Sequence, residues 1–112
     1  MSENNQDLAK MSCAGCAGEL SKLTTEQVDN LMPQLPGWRA EGDFLRKTFE
    51  FKDFVTAMAF LNKVAEVAEA EGHHPDFRLH SWNKVDFEIQ THDIGGLSEN
   101  DFIVAAKIDQ VA

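Results

Sequence analysis

Apolar residues recur along this chain with two alternating periods, every three or four residues and every second residue, and the switches between them mark its elements. Val28, Leu31, Met32 and Leu35 stand at helical spacing behind Thr24, whose partner Gln27 three residues on makes a capping-box pattern. Pro36-Gly37 stops that helix, and Pro33 is expected to fray its last turn. Trp38 to Ala40 and Phe44 to Phe51 alternate aromatic and polar residues around the turn-forming Glu41-Gly42-Asp43, which predicts a hairpin. Asp53 is a helix cap in front of Phe54, Ala57, Met58, Leu61, Val64, Ala65 and Ala68, an apolar stripe that predicts a long helix running to about Glu71 and ended by Gly72.

Phe77 and Leu79 predict a third strand and Ser81 to Asn83 a short connection. From Lys84 to His92 the alternation is strict. Val85, Phe87, Ile89 and Thr91 face one way, and Lys84, Asp86, Glu88, Gln90 and His92 the other, so His92 is expected to end a strand on its polar side. After Gly95-Gly96, Ser98 is positioned to cap a last helix with Asp101 at its third position, followed by Phe102, Val104, Ala105 and Ile108. The predicted order is α-β-β-α-β-β-α. Its expected class is α+β, a four-stranded antiparallel sheet with three helices packed on one face.

Residues 1–22 carry no sustained period and read as a flexible N-terminal extension, with 23–112 as a single domain. Cys13 and Cys16 lie in that extension. A structural zinc site would need two further ligands, and a redox pair should sit between a strand and a helix, so incidental thiols are the expectation. At 112 residues with eight Phe and two Trp, the chain holds one modest core. A net charge of −9, with only ten Lys and Arg, argues against a nucleic-acid or membrane surface. No apolar run approaches the roughly 20 residues of a spanning helix, and no signal-peptide pattern opens the chain, so the expected compartment is the cytoplasm.

Candidate chemistry gathers at the histidines. His73 and His74 follow the predicted end of the long helix, and Glu69 stands one helical turn before His73, in position to orient its ring if the helix extends that far. Pro75 holds His74 in extended backbone, so the two rings must point in different directions. A plainer account has both histidines interacting only with the helix dipole and solvent. His92 and Asp101 flank a Gly-Gly loop leading into a helix N-terminus, where Asp101 also reads as a capping residue. A metal bound by Glu69, His73, His74 and His92 is the rival reading; adjacent histidines rarely reach one ion, and HExxH is absent, so no metal is expected.

Glu69-Ala-Glu-Gly-His73-His74-Pro75, then Trp82, His92 and Asp101, resembles the signature of the pterin-4a-carbinolamine dehydratases. Pro36-Gly37-Trp38, Phe49-Glu-Phe51-Lys-Asp53-Phe54 and Thr91-His92-Asp93 with Gly-Gly-Leu97-Ser98-Glu-Asn-Asp101-Phe102 extend the resemblance across about residues 23 to 112. Gly72 departs from it, standing where some relatives carry an acidic residue.

The resemblance implies the same α+β fold, catalytic roles for His73, His74 and His92, supporting roles for the acids Glu69 and Asp101, and further substrate contacts at Pro75, Thr91 and Asp93. It implies dehydration of a 4a-hydroxytetrahydropterin to a quinonoid dihydropterin, with the pterin as substrate and no cofactor. On that reading His74 is the general acid and His73 or His92 accepts a proton, Glu69 acting on His73 and Asp101 on His92. Imidazole suits both roles because its ordinary pKa of about 6.5 keeps both forms accessible near neutral pH. The resemblance further implies tetrahydropterin recycling with a functional link to phenylalanine hydroxylase, and a homodimer or homotetramer. Its alternative from another class is a protein-binding module, a dimerisation or transcriptional co-regulator.

Overall fold

The computed structural model describes residues 7–13 and 21–112. Within them three helices, α1 (Thr25–Leu31), α2 (Phe54–Glu71) and α3 (Glu99–Val111), alternate with strands β1 (Arg39–Glu41), β2 (Phe44–Glu50), β3 (Asp76–His80) and β4 (Lys84–Ile89) in the expected order. The strands form one antiparallel sheet ordered β1-β2-β4-β3. No described helix is long and apolar enough to cross a membrane.

Register decides which side of the sheet meets the helices. Leu45, Lys47 and Phe49 of β2 stand opposite Ile89, Phe87 and Val85 of β4, and the helices cover the face these residues share. The other face is a ladder of polar side chains in which Arg46 pairs with Glu88 and Glu41, and Thr48 with Asp86. Trp38, Phe49, Phe51, Phe60 and Phe87 form the aromatic centre of the core, Phe49 and Phe60 both meeting Phe87 edge-on at 5.6 and 5.8 Å. Such geometry adds about 0.5–1.5 kcal/mol per pair beyond the area buried.

Local chemistry sets the element ends. Thr24 and Gln27 complete the predicted capping box, and the helix tightens at Pro33 into a 3-10 turn over Met32–Gln34. Asp53 caps α2 through a 2.8 Å bond from the Thr56 amide. Gly72 ends α2 in the left-handed conformation, φ 65°, which a side chain would disfavour.

The structure corrects several expectations. Phe54 and Met58, placed on the buried stripe of α2, are exposed; the buried face runs through Ala57, Phe60, Leu61, Val64 and Ala68, with Phe54 ahead of its start and Met58 on its flank. The last regular strand ends at Ile89, and His92 opens a 3-10 turn over His92–Ile94 because Thr91 closes an isolated bridge with Gly96.

The largest difference lies in the leader. Residues 7–13 are packed against the domain, with Leu8 in the core at 1% exposure and its amide bonded to Gln34. Helix α3 is buried almost all round because it packs against α2, β2 and the 3-10 turn Leu8–Lys10 together. Cys13 belongs to this packed segment, whereas Cys16 lies outside the described residues.

Candidate active site

The left-handed Gly72 turns the chain off the axis of α2, and the amides of Gly72 and His73 both reach back to the Ala68 carbonyl. His73 therefore leaves the helix toward the start of α3, where its Nε2 lies 2.7 Å from Oδ1 of Asp101. Asp101 has no exposed surface, and a buried carboxylate needs donors to replace water. It has three. His73 engages one oxygen, while the Thr91 hydroxyl and the Ser98 amide both donate to Oδ2 at 2.8 Å. Thr91 has one hydroxyl proton, committed to Asp101, so the Ser98 hydroxyl donates to Thr91 across their 2.7 Å contact. The Thr91 amide in turn bonds the Gly96 carbonyl at 3.0 Å, fixing the loop that carries these groups.

His74 points elsewhere, as its place before Pro75 requires. Its Nε2 lies 2.6 Å from Oε2 of Glu69, with both side chains largely exposed. Beside this pair opens a cleft of about 160 Å³ lined by Val64, Ala65, Ala68, Glu69, His74, Pro75 and Phe77, an apolar wall with a polar edge. A larger hollow of about 390 Å³ on the uncovered sheet face is lined by Arg39, Arg46 and Arg78 among others and contains no histidine. Arg39 and Arg46 are already ion-paired with Glu41 and Glu88, so the histidine side of the molecule is the better candidate.

The carboxylates thus exchange the partners assigned to them from sequence. Glu69 serves His74 because α2 does not continue through His73, and Asp101 serves His73, 28 residues away, in place of His92. His92 and Asp93 are exposed in their 3-10 turn, next to Thr91, through which that turn connects to Asp101. The cap reading of Asp101 also holds, since its Oδ2 accepts from the Ser98 amide. Ser98 and Thr91 both support Asp101: the Ser98–Asp101 capping pattern signalled the first, while Thr91, expected as a substrate contact, is buried and commits its hydroxyl proton to Asp101. Among the described residues, no three His, Cys, Asp or Glu side chains converge as metal ligands.

The α+β sheet-and-helix scaffold thus carries two carboxylate–imidazole pairs, one buried and one exposed beside a cleft. Residues 21–111 match the family model for pterin 4 alpha carbinolamine dehydratase, and the chain belongs to that family, a family of hydro-lyases. A Nitrosospira multiformis protein carrying the pterin-4-alpha-carbinolamine dehydratase name is 50% identical over 103 residues, 92% of this chain and 90% of its own length. The Arabidopsis thaliana mitochondrial pterin-4-alpha-carbinolamine dehydratase 2 is 42% identical over 94% of this chain and 59% of its own. The crystal structure of a transcriptional coactivator/pterin dehydratase from Brucella melitensis matches with a TM-score of 0.78 and 32% identity, covering 82% of this chain and 99% of that one.

Proposed function

We propose that this dehydratase converts a 4a-hydroxytetrahydropterin to quinonoid dihydropterin and water by histidine acid–base catalysis, and the observation that carries the reading is the buried His73–Asp101 pair. The reaction breaks the C4a–OH bond and removes the proton on N5, leaving a C4a=N5 double bond. One group must protonate the leaving hydroxyl and another must accept the N5 proton.

His74 is the acid. Its ring is solvent-exposed beside the cleft, and the Glu69 carboxylate 2.6 Å from its Nε2 orients it. His73 is the base: with Nε2–H committed to Asp101, the lone pair of the neutral ring lies on Nδ1, and the carboxylate stabilises the imidazolium that forms. His92 contributes substrate binding from the neighbouring turn, with Thr91 and Asp93 beside it, and Pro75 shapes the cleft. The pterin is the substrate, and both proton transfers are served by the chain's own imidazoles without a cofactor.

The quinonoid product must be reduced to regenerate a tetrahydropterin, which supports a place in pterin recycling after aromatic amino-acid hydroxylation, with phenylalanine hydroxylase as the functional partner. The exposed Phe54, Val55, Met58 and Trp82 support assembly as a homodimer or homotetramer. A second reading, co-regulation through protein binding, draws support from the coactivator description of the Brucella melitensis relative and from the exposed apolar start of α2.

The deciding experiment follows loss of freshly generated 4a-hydroxytetrahydropterin with the native chain, with His74→Ala, and with a chelator added. Acceleration that survives chelation and drops in the variant supports the reading. No acceleration by the folded native chain would overturn it and leave the protein-binding role.

A further inference from the structure

The family match begins at residue 21, so the packed segment 7–13 lies outside it. Leu8 anchors one end of that segment in the core, and Ala9, Met11 and Cys13 are partly buried against it. At its far end two contacts reach the backbone stretches that carry the working pair. The Cys13 amide donates to Oε1 of Glu71 at 2.9 Å, and Glu71 closes α2 two residues before His73. The Cys13 thiol donates to the Asn100 carbonyl at 3.7 Å, and Asn100 immediately precedes Asp101 in the first turn of α3. Lys107 of α3 holds the other Glu71 oxygen at 2.5 Å, so Glu71 is itself fixed between the two helices.

We propose that residues 7–13 are a strap that positions the active site, with Cys13 and Glu71 clamping the end of α2 to the start of α3 so that His73 and Asp101 keep their 2.7 Å separation. The inference rests on the reading of His73 as the base oriented by Asp101. Leu8 and Glu71 are positioning residues: neither touches the cleft beside His74, and both act through the helices. The clamp adds to the Lys107 ion pair, which ties Glu71 to α3 two turns beyond Asp101 and leaves the first turn of α3 to the strap. The His73 amide bonds back to the Ala68 carbonyl and the Asp101 amide to the Ser98 carbonyl, so each backbone is fixed within its own element and the strap acts on how the two elements sit against each other. Displacing reacting groups by about 1 Å can reduce a rate by about 10²-fold.

The strap carries its own reporter. Burial, reinforced by the Glu71 carboxylate, pushes the Cys13 thiol up to about 12, so a docked Cys13 is almost wholly unionised at neutral pH and slow to alkylate. In a Cys16→Ser background, so that Cys13 is the single thiol, three properties are read together: Cys13 alkylation, the downfield ring N–H proton resonance of His73, and the dehydratase kcat and KM. Glu71→Ala removes the acceptor for the Cys13 amide, and Leu8→Ala loosens the anchor without touching Glu71.

Either variant is expected to raise Cys13 alkylation at least about tenfold, broaden the His73 resonance, and lower kcat several-fold with KM little changed. Glu71→Gln, which keeps an acceptor oxygen for the Cys13 amide but not the charge, is expected to restore the His73 resonance and kcat and to leave Cys13 alkylation between the parent chain and Glu71→Ala. Faster alkylation with an unchanged His73 resonance and kcat would overturn the proposal, as would a Cys13 that alkylates in the parent chain as fast as a free thiol. If the parent chain shows no dehydratase activity, the functional reading fails by itself, and the resonance and alkylation still decide the strap.

Discussion

His73 Nε2 lies 2.7 Å from Oδ1 of Asp101, a carboxylate with no exposed surface that accepts two further bonds from Thr91 and Ser98. This arrangement gives Asp101 one structural duty, capping α3 through Ser98, and one electrostatic duty, orienting a histidine. The two duties separate in a single isosteric substitution.

Asp101→Asn keeps an acceptor oxygen for Ser98 and Thr91 but removes the charge and can turn an amide toward His73. The unfolding free energy is expected to fall by about 1–3 kcal/mol, the cost of a disturbed buried hydrogen-bonding group. The turnover rate is expected to fall by roughly 10²-fold or more, as when a base loses its orienting carboxylate. Parallel denaturant titration and rapid-mixing assays measure the two effects, and a variant that lost stability but kept full turnover would confine Asp101 to capping.

His74 and Glu69 call for the opposite signature. Their side chains are 60% and 78% exposed, so their ion pair contributes at most about 1 kcal/mol to folding. His74→Ala is expected to leave the melting temperature nearly unchanged while lowering kcat by about 10²- to 10⁴-fold. Glu69→Gln, which removes only a neighbouring charge, is expected to lower kcat less than His74→Ala does. Equal turnover in His74→Ala and the native chain would remove His74 as the acid.

Which features were legible in sequence follows from the range of the interactions that set them. The alternation from Lys84 to Thr91 fixes the buried face of β4, and the Thr24 and Asp53 caps fix two helix starts, because each depends on neighbours within a few residues. The histidines are also visible in sequence, two beside a helix stop and one expected at a strand end that the structure places in the following turn. Their partners are not. A left-handed Gly72 rotates His73 away from Glu69, and the bond to Asp101 spans 28 residues that no local period encodes. Leu8 shows the same limit: the scattered apolar residues of the leader keep no period, and the burial of Leu8 depends on a hollow built by α3 and the region around Gln34.

Leu8→Ala tests that burial directly. A Leu at 1% exposure, truncated in a packed core, is expected to cost about 2–5 kcal/mol of unfolding free energy, through lost transfer energy and the space left behind. A flexible leader would give no change. The midpoint of urea unfolding at constant slope is the quantity to compare, and an unshifted midpoint would return residues 7–13 to the flexible extension expected from sequence.

Glu71 gives the strap a pH dependence whose sign is fixed by its partners. The Lys107 ammonium bond, followed by the Cys13 amide bond, holds the Glu71 carboxyl below its usual range. A carboxyl whose folded pKa is depressed stabilises the fold fully above its unfolded value of about 4.3, and that contribution disappears as pH falls through the lower folded value. The native chain is therefore expected to lose stability over that acid window more steeply than Glu71→Gln, which cannot titrate there. The two should differ most above about pH 5 and converge as Glu71 becomes protonated. Asp86, also held below its usual range by its bond from Thr48 first, is the same in both chains and cancels in the comparison. Unfolding midpoints measured from pH 6 down to pH 3 supply the comparison. Parallel curves for the two chains would mean that Glu71 binds its partners no more strongly in the ionised form than in the neutral one, and the Glu71 link between strap and helices would have no electrostatic component.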